Sequence, residues 1–77
     1  MQQEKLIAWR KYHGLTQQDM AALIGVDVRT YINKESGVTQ FKANEMFAIS
    51  ERLGKRIDEI FSPINFMNRE VKKKEVV

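Results

Sequence analysis

The sequence predicts an all-α fold, and three observations carry that prediction. All four glycines, Gly14, Gly25, Gly37 and Gly54, stand just after runs of helical periodicity, where a terminating left-handed residue is least costly as glycine. The one proline, Pro63, follows the last apolar run, and proline cannot continue a helix. Between these marks no apolar–polar alternation rich in β-branched residues marks a strand. Five helices result.

The first helix covers roughly residues 2–13, with Leu6, Trp9, Arg10 and His13 recurring along one face. The second begins at Thr16, an N-cap whose hydroxyl can accept from the Asp19 N–H, while Asp19 supplies the reciprocal carboxylate. Met20, Ala21 and Ile24 form its buried stripe, with Leu15 beside it. The third starts from Asp27 as N-cap, after Gly25 and Val26, and runs from Val28 to about Ser36. The fourth spans roughly residues 42–53, with Ala43, Met46, Phe47, Ser50 and Leu53 at core spacing. The fifth, about residues 56–61, buries Ile57, Ile60 and Phe61.

A chain of 77 residues holds one small domain, too small for a deep catalytic cleft. Hydrophobic residues make up 43% and charged residues 30%, which suits a folded protein rather than a disordered one. Cysteine is absent, which removes disulfides, thiolate chemistry and zinc–thiolate sites. No apolar run approaches a membrane span, and the charged start "MQQEKLIAWRKYHG" is unlike a signal peptide. A cytoplasmic protein is expected.

The net charge of +3 is unevenly spread. Residues 1–65 carry nine Lys/Arg against eight Asp/Glu, while residues 66–77 carry Arg69, Lys72, Lys73 and Lys74 against Glu70 and Glu75. The division is therefore a helical domain over residues 1–64 and a basic tail over 65–77, for which three readings stay open: a disordered basic arm, an extra phosphate grip, or a strand or helix pairing across a dimer. With so balanced a body, charge alone is poor support for a nucleic-acid partner.

Placement is more telling. The turn "GVD" between the second and third helices is too short for the third to fold back along the second. Two helices crossing steeply bring their backbones close, so Ala21 is small, Gly25 makes the turn and Val26 plugs the angle. With Tyr31 as the inward anchor, this is the spacing of a helix-turn-helix. Tyr31 is large for that position, and its hydroxyl is expected to reach the surface or a partner. If Tyr31 points in, so do Lys34, by its stem, and Glu35. The opposite face then carries Val28, Arg29, Ile32 and Asn33, with Asp27 and Thr30 at its margins. Arg can pair with guanine O6 and N7, Asn with adenine N6 and N7, and Val and Ile can meet a thymine methyl. The face reads as a major-groove reader.

From Leu6 to Phe61 the chain resembles the phage repressor and Cro-like helix-turn-helix domains of bacterial transcriptional regulators. The likeness rests on "LIAWRKYHGLTQQDMAALIGVDVRTYINKESG" followed by "MFAISERLGKRIDEIF". It implies a compact five-helix bundle of the lambda repressor-like kind that binds operator DNA as a dimer. Val28, Arg29, Ile32 and Asn33 match base-contacting positions. Gln17 matches a residue that grips a backbone phosphate, with Gln18 beside it at a helix N-terminus that favours anions. Thr39, Gln40 and Lys42 match a phosphate-touching loop, and Thr30 is grouped with these. Arg10 and Glu35 match a structural ion pair. The family often has Pro where this chain has Phe41 and an aliphatic residue where it has Lys34. The course of loop 38–42 and the packing beneath the third helix therefore rest on this chain's own residues.

The expected function is a sequence-specific DNA-binding regulator, a homodimeric repressor on double-stranded operator DNA, acting by promoter occupancy because no effector domain is present. The alternative is an antitoxin-type or other protein-interaction module, whose partner is met by the tail or by a surface including Ile32 and Phe66. No enzyme, metal or cofactor is expected, because one histidine and scattered carboxylates offer no catalytic constellation. His13 is expected near the end of the first helix, where a cation is favoured.

Overall fold

The second, third and fourth helices each start where a side chain meets a free backbone N–H and stop at a left-handed glycine. The computed structural model describes residues 2–61. Within them run α1 (Glu4–Tyr12), α2 (Gln17–Ile24), α3 (Val28–Ser36), α4 (Ala43–Leu53) and α5 (Ile57–Ile60), and no strand occurs among the described residues. Pro63 and the tail over 65–77, with Phe66, Arg69, Lys72, Lys73 and Lys74, lie outside the described residues.

The predicted caps are present. The Asp19 N–H donates to the Thr16 hydroxyl at 3.0 Å, and the Thr16 N–H donates to the Asp19 carboxylate at 2.9 Å, closing a capping box. The Thr30 N–H donates to Asp27 at 3.2 Å at the head of α3. α4 and α5 begin differently, with Glu45 accepting from the Lys42 N–H and Glu59 from the Arg56 N–H, both at 2.9 Å. α1 and α5 are a little shorter than periodicity alone suggests. His13 falls just past α1, exposed and edge-on to Tyr12, outside the buried stripe of Leu6 and Arg10.

The core gathers Leu6, Met20, Tyr31, Met46, Ile49, Leu53, Ile60 and Phe61 from all five helices. α2 packs against both α3 and α4, and α5 rests on α1 and α4. Trp9, partly buried, ties α1 to α5 by donating its indole N–H to the Glu59 carbonyl at 3.2 Å. Lys55 Nζ lies 4.3 Å from the Trp9 ring centroid, a cation–π distance. α4 departs from its expected stripe. Its buried residues are Glu45, Met46, Ile49 and Leu53, while Phe47 is 63% exposed and Ala43 is exposed. Both stripes have helical spacing. The observed one is turned to meet Phe41 and Phe61, whose rings pack edge-to-face at 5.1 Å.

Hydrogen bonds from Thr16, its backbone foremost, hold the Asp19 carboxyl below the usual range, and Thr30 does the same to Asp27. A carboxyl lowered in the folded state binds its proton more weakly there than when unfolded. Its contribution is therefore full above the unfolded value near 4 and fades as pH falls through the folded value. Replacing both by Asn, which resembles the protonated acid, should lower the melting temperature at neutral pH. The gap from wild type should narrow on acidification below about pH 4. Thermal melts across pH check this; a gap that stays constant contradicts it.

Candidate nucleic-acid interface

The projecting helix is α3, and the turn before it sets its direction. Gly25 adopts φ 76°, a left-handed conformation that other residues enter at a cost. It lets the Val26 N–H reach the Ala21 carbonyl at 3.0 Å and its own N–H reach Ala22 at 3.3 Å, the paired closure of a Schellman motif. Ala21 is buried and Val26 packs on the core. The small residue, the glycine and the plug therefore occupy the places the motif requires.

Tyr31 faces inward with no exposed surface, flanked by buried Lys34 and Glu35. The other side of α3 carries Arg29, exposed, and Val28, 38% exposed, with Ile32, Asn33 and Thr30 partly buried beside them. The four residues expected to read bases thus share one outward face. Asn33 also anchors the turn after α3: its carbonyl accepts from Val38 N–H at 2.9 Å and Thr39 N–H at 3.3 Å, around Gly37 at φ 91°.

The inner side is organised by one carboxylate. Glu35 accepts from Arg10 Nε at 2.8 Å, from Tyr31 Oη at 2.7 Å and from Gln17 Nε2 at 2.8 Å. Arg10 also donates through Nη1 to the Leu15 carbonyl at 2.9 Å. The Gln3 N–H donates to the Glu35 carbonyl at 2.9 Å. The Arg10–Glu35 pair is therefore present, and it draws in α1, α2 and α3 together. The Tyr31 hydroxyl does not reach the surface as expected; it is spent on Glu35, because the two residues are one helical turn apart on the same buried stripe. Burial first, and the adjacent carboxylate second, push the phenol far above its ordinary value, so it stays a donor.

Gln17, the first residue of α2, is partly buried and held by Glu35. Its amide nitrogen carries two hydrogens, and one remains after that bond. Gln18 is exposed beside it, as are Thr39, Gln40 and Lys42 in the loop after α3. Phe41, in the midst of that loop, is buried and lies 6.0 Å from the Tyr31 ring. At the position where the resemblance leads to an expected proline, this chain has a core residue. Lys34 is likewise accommodated: its Nζ lies 3.1 Å from Glu45 Oε1. Sequence reasoning missed Glu45. The signal available was its place three residues after Lys42, where a reciprocal capping carboxylate belongs.

No group of metal-ligating side chains occurs among the described residues, and no described helix is long and apolar enough to cross a membrane.

Residues 6–60 match the family model described as Helix-turn-helix, of the Cro/C1 type, and the chain belongs to that family. It is also similar to an uncharacterized HTH-type transcriptional regulator of Methanocaldococcus jannaschii. The two are 37% identical over 57 residues, covering 74% of this chain and 86% of that protein. No solved structure matches the chain.

Tyr31→Phe removes one donor to a buried carboxylate without changing shape. Bonds to charged groups contribute about 1.5–3 kcal/mol, so urea unfolding should show a loss of that size with an unchanged m-value. An unaltered midpoint contradicts the network's role.

Proposed function

We propose that this helix-turn-helix protein is a sequence-specific DNA-binding transcription regulator that represses by occupying an operator. In this reading α3 lies in the major groove. Arg29 and Asn33 pair with base edges, and Val28 and Ile32 contact thymine methyls. Gln17, Gln18, Thr30, Thr39, Gln40 and Lys42 contact the sugar–phosphate backbone and set register. The single observation that supports it most is the outward face of α3, where a guanidinium and a carboxamide one turn apart stand beside two aliphatic side chains. Family membership supports the partner, and the relative's description as a transcriptional regulator supports the role.

The protein acts as a homodimer in the cytoplasm, without catalysis or cofactor. Two-fold symmetry then places paired reading helices in successive major grooves, on half-sites about one helical turn apart. A second reading, a protein-interaction module of the antitoxin kind, is favoured by Phe47 and Val38, which are exposed on α4 and in the loop after α3. Under that reading, deleting residues 65–77 abolishes partner binding and spares any DNA binding.

Binding of selected and random duplexes over a salt series tests the primary reading. Arg29→Ala should cost about 1–3 kcal/mol and relax preference at one base position. Lys42→Ala should weaken all sequences alike and make the salt slope shallower by about 1. Two variants indistinguishable from wild type on every duplex overturn the reading.

A further inference from the structure

We propose that Lys34 and Glu45 are positioning residues that preset the loop over 38–42 for the sugar–phosphate backbone. The inference rests on the DNA-binding reading above and assigns this ion pair a part in it. Both side chains are buried and form an ion pair at 3.1 Å. Such a pair is weak support for a stabilising role, because desolvating two charges offsets most of their attraction. Well-packed apolar residues often serve as well in the same volume.

What apolar residues cannot do is bind backbone. Lys34 Nζ donates to the Gln40 carbonyl at 3.1 Å, and Glu45 Oε1 accepts from the Lys42 N–H at 2.9 Å. The two charges thus grip the chain on either side of Phe41, whose ring is held between Tyr31 and Phe61. Gln40, Phe41 and Lys42 are fixed at three successive residues, and the exposed side chains of Thr39, Gln40 and Lys42 project from a constrained backbone.

Ordering a loop only on binding costs entropy for every residue immobilised. A loop already ordered holds the Lys42 backbone, and so the root of its side chain, in a set place relative to α3 without that cost. Adjacent residues of opposite charge on α3 then have separate tasks. Glu35 reaches back to the start of α2, and Lys34 reaches forward to the loop.

The test is Lys34→Met/Glu45→Gln, which leaves net charge unchanged and keeps an acceptor for the Lys42 N–H. Binding to selected and random duplexes is measured over a salt series, with melting temperature as the control. The expected result is a folded variant with affinity lowered by the same factor on both duplexes. Its salt slope should be shallower by about one, with base preference retained. A purely structural pair moves the melting temperature and leaves slope and affinity alone, and that result overturns the proposal.

Lys34→Met/Glu45→Met, read the same way, removes the acceptor as well and carries the same expectation. If neither variant folds, the Lys34 ammonium protons in the wild-type protein decide by NMR. Slowed exchange together with a Lys42 Nζ signal shifted alike by selected and random duplexes supports the proposal, and exchange at the free rate, or a Lys42 signal unmoved by both duplexes, overturns it. Wild-type protein with no salt-dependent duplex affinity overturns the DNA-binding reading itself, whatever the variants do.

Discussion

The carboxylate of Glu35 is the constraint on which the arrangement depends. It is buried, and a lone buried charge is costly enough that it must be met on every side. Three helices meet it: Arg10 from α1, Gln17 from α2 and Tyr31 from α3 itself. Each donor has a second consequence. Arg10 continues to the Leu15 carbonyl and fixes the α1–α2 turn. Tyr31 turns the inner side of α3 to the core and so dictates which side faces out. Gln17 is held at the first turn of α2. Removing either member of the Arg10–Glu35 pair strands the other, at a cost of about 3–5 kcal/mol, a large share of the stability of so small a domain.

α3 is therefore two things at once. Its inner side, Tyr31 with Lys34 and Glu35, is polar for a core and spends its polarity on neighbouring elements. Its outer side leaves Arg29 exposed and sets partly buried Asn33 beside it. The division of labour suits a short helix. A nine-residue helix has little stability of its own in water; tertiary bonds hold it rigid, and rigidity is what a reading surface requires. The proposed specificity thus depends on buried residues that touch no base.

Much of this was legible in the sequence because local chemistry decided it. The Thr16–Asp19 box, the Asp27 cap, and the Ala21–Gly25–Val26–Tyr31 spacing each require particular residue types at fixed short offsets, and each occurs as expected. What escaped depended on partners distant in sequence. Met46 and Leu53 belong to two possible stripes of α4. The packing of α4 against α2 and α5, with Phe41 and Phe61 in the same core, selects the one with Ile49 and turns Phe47 outward. Lys34 and Glu45 are eleven positions apart, and nothing local marks them as a pair. The Tyr31 hydroxyl is expected at the surface or on a partner because the side chain is large for its position, whereas the carboxylate one turn along takes it inside the domain. The outward placement of Val28, Arg29, Ile32 and Asn33 is readable once Tyr31 is taken as the anchor. Their contacts with bases remain a proposal.

The most direct measurement is a side-chain NMR titration of the isotope-labelled protein with a duplex selected for tight binding. A random duplex serves as the reference. The account predicts that the selected duplex shifts the Val28 and Ile32 methyls, the Arg29 guanidinium and the Asn33 carboxamide. The random duplex should perturb chiefly Gln17, Gln18 and the loop at 39–42. Shifts centred on the α4 surface around Phe47, with those four side chains unmoved by either duplex, would contradict it.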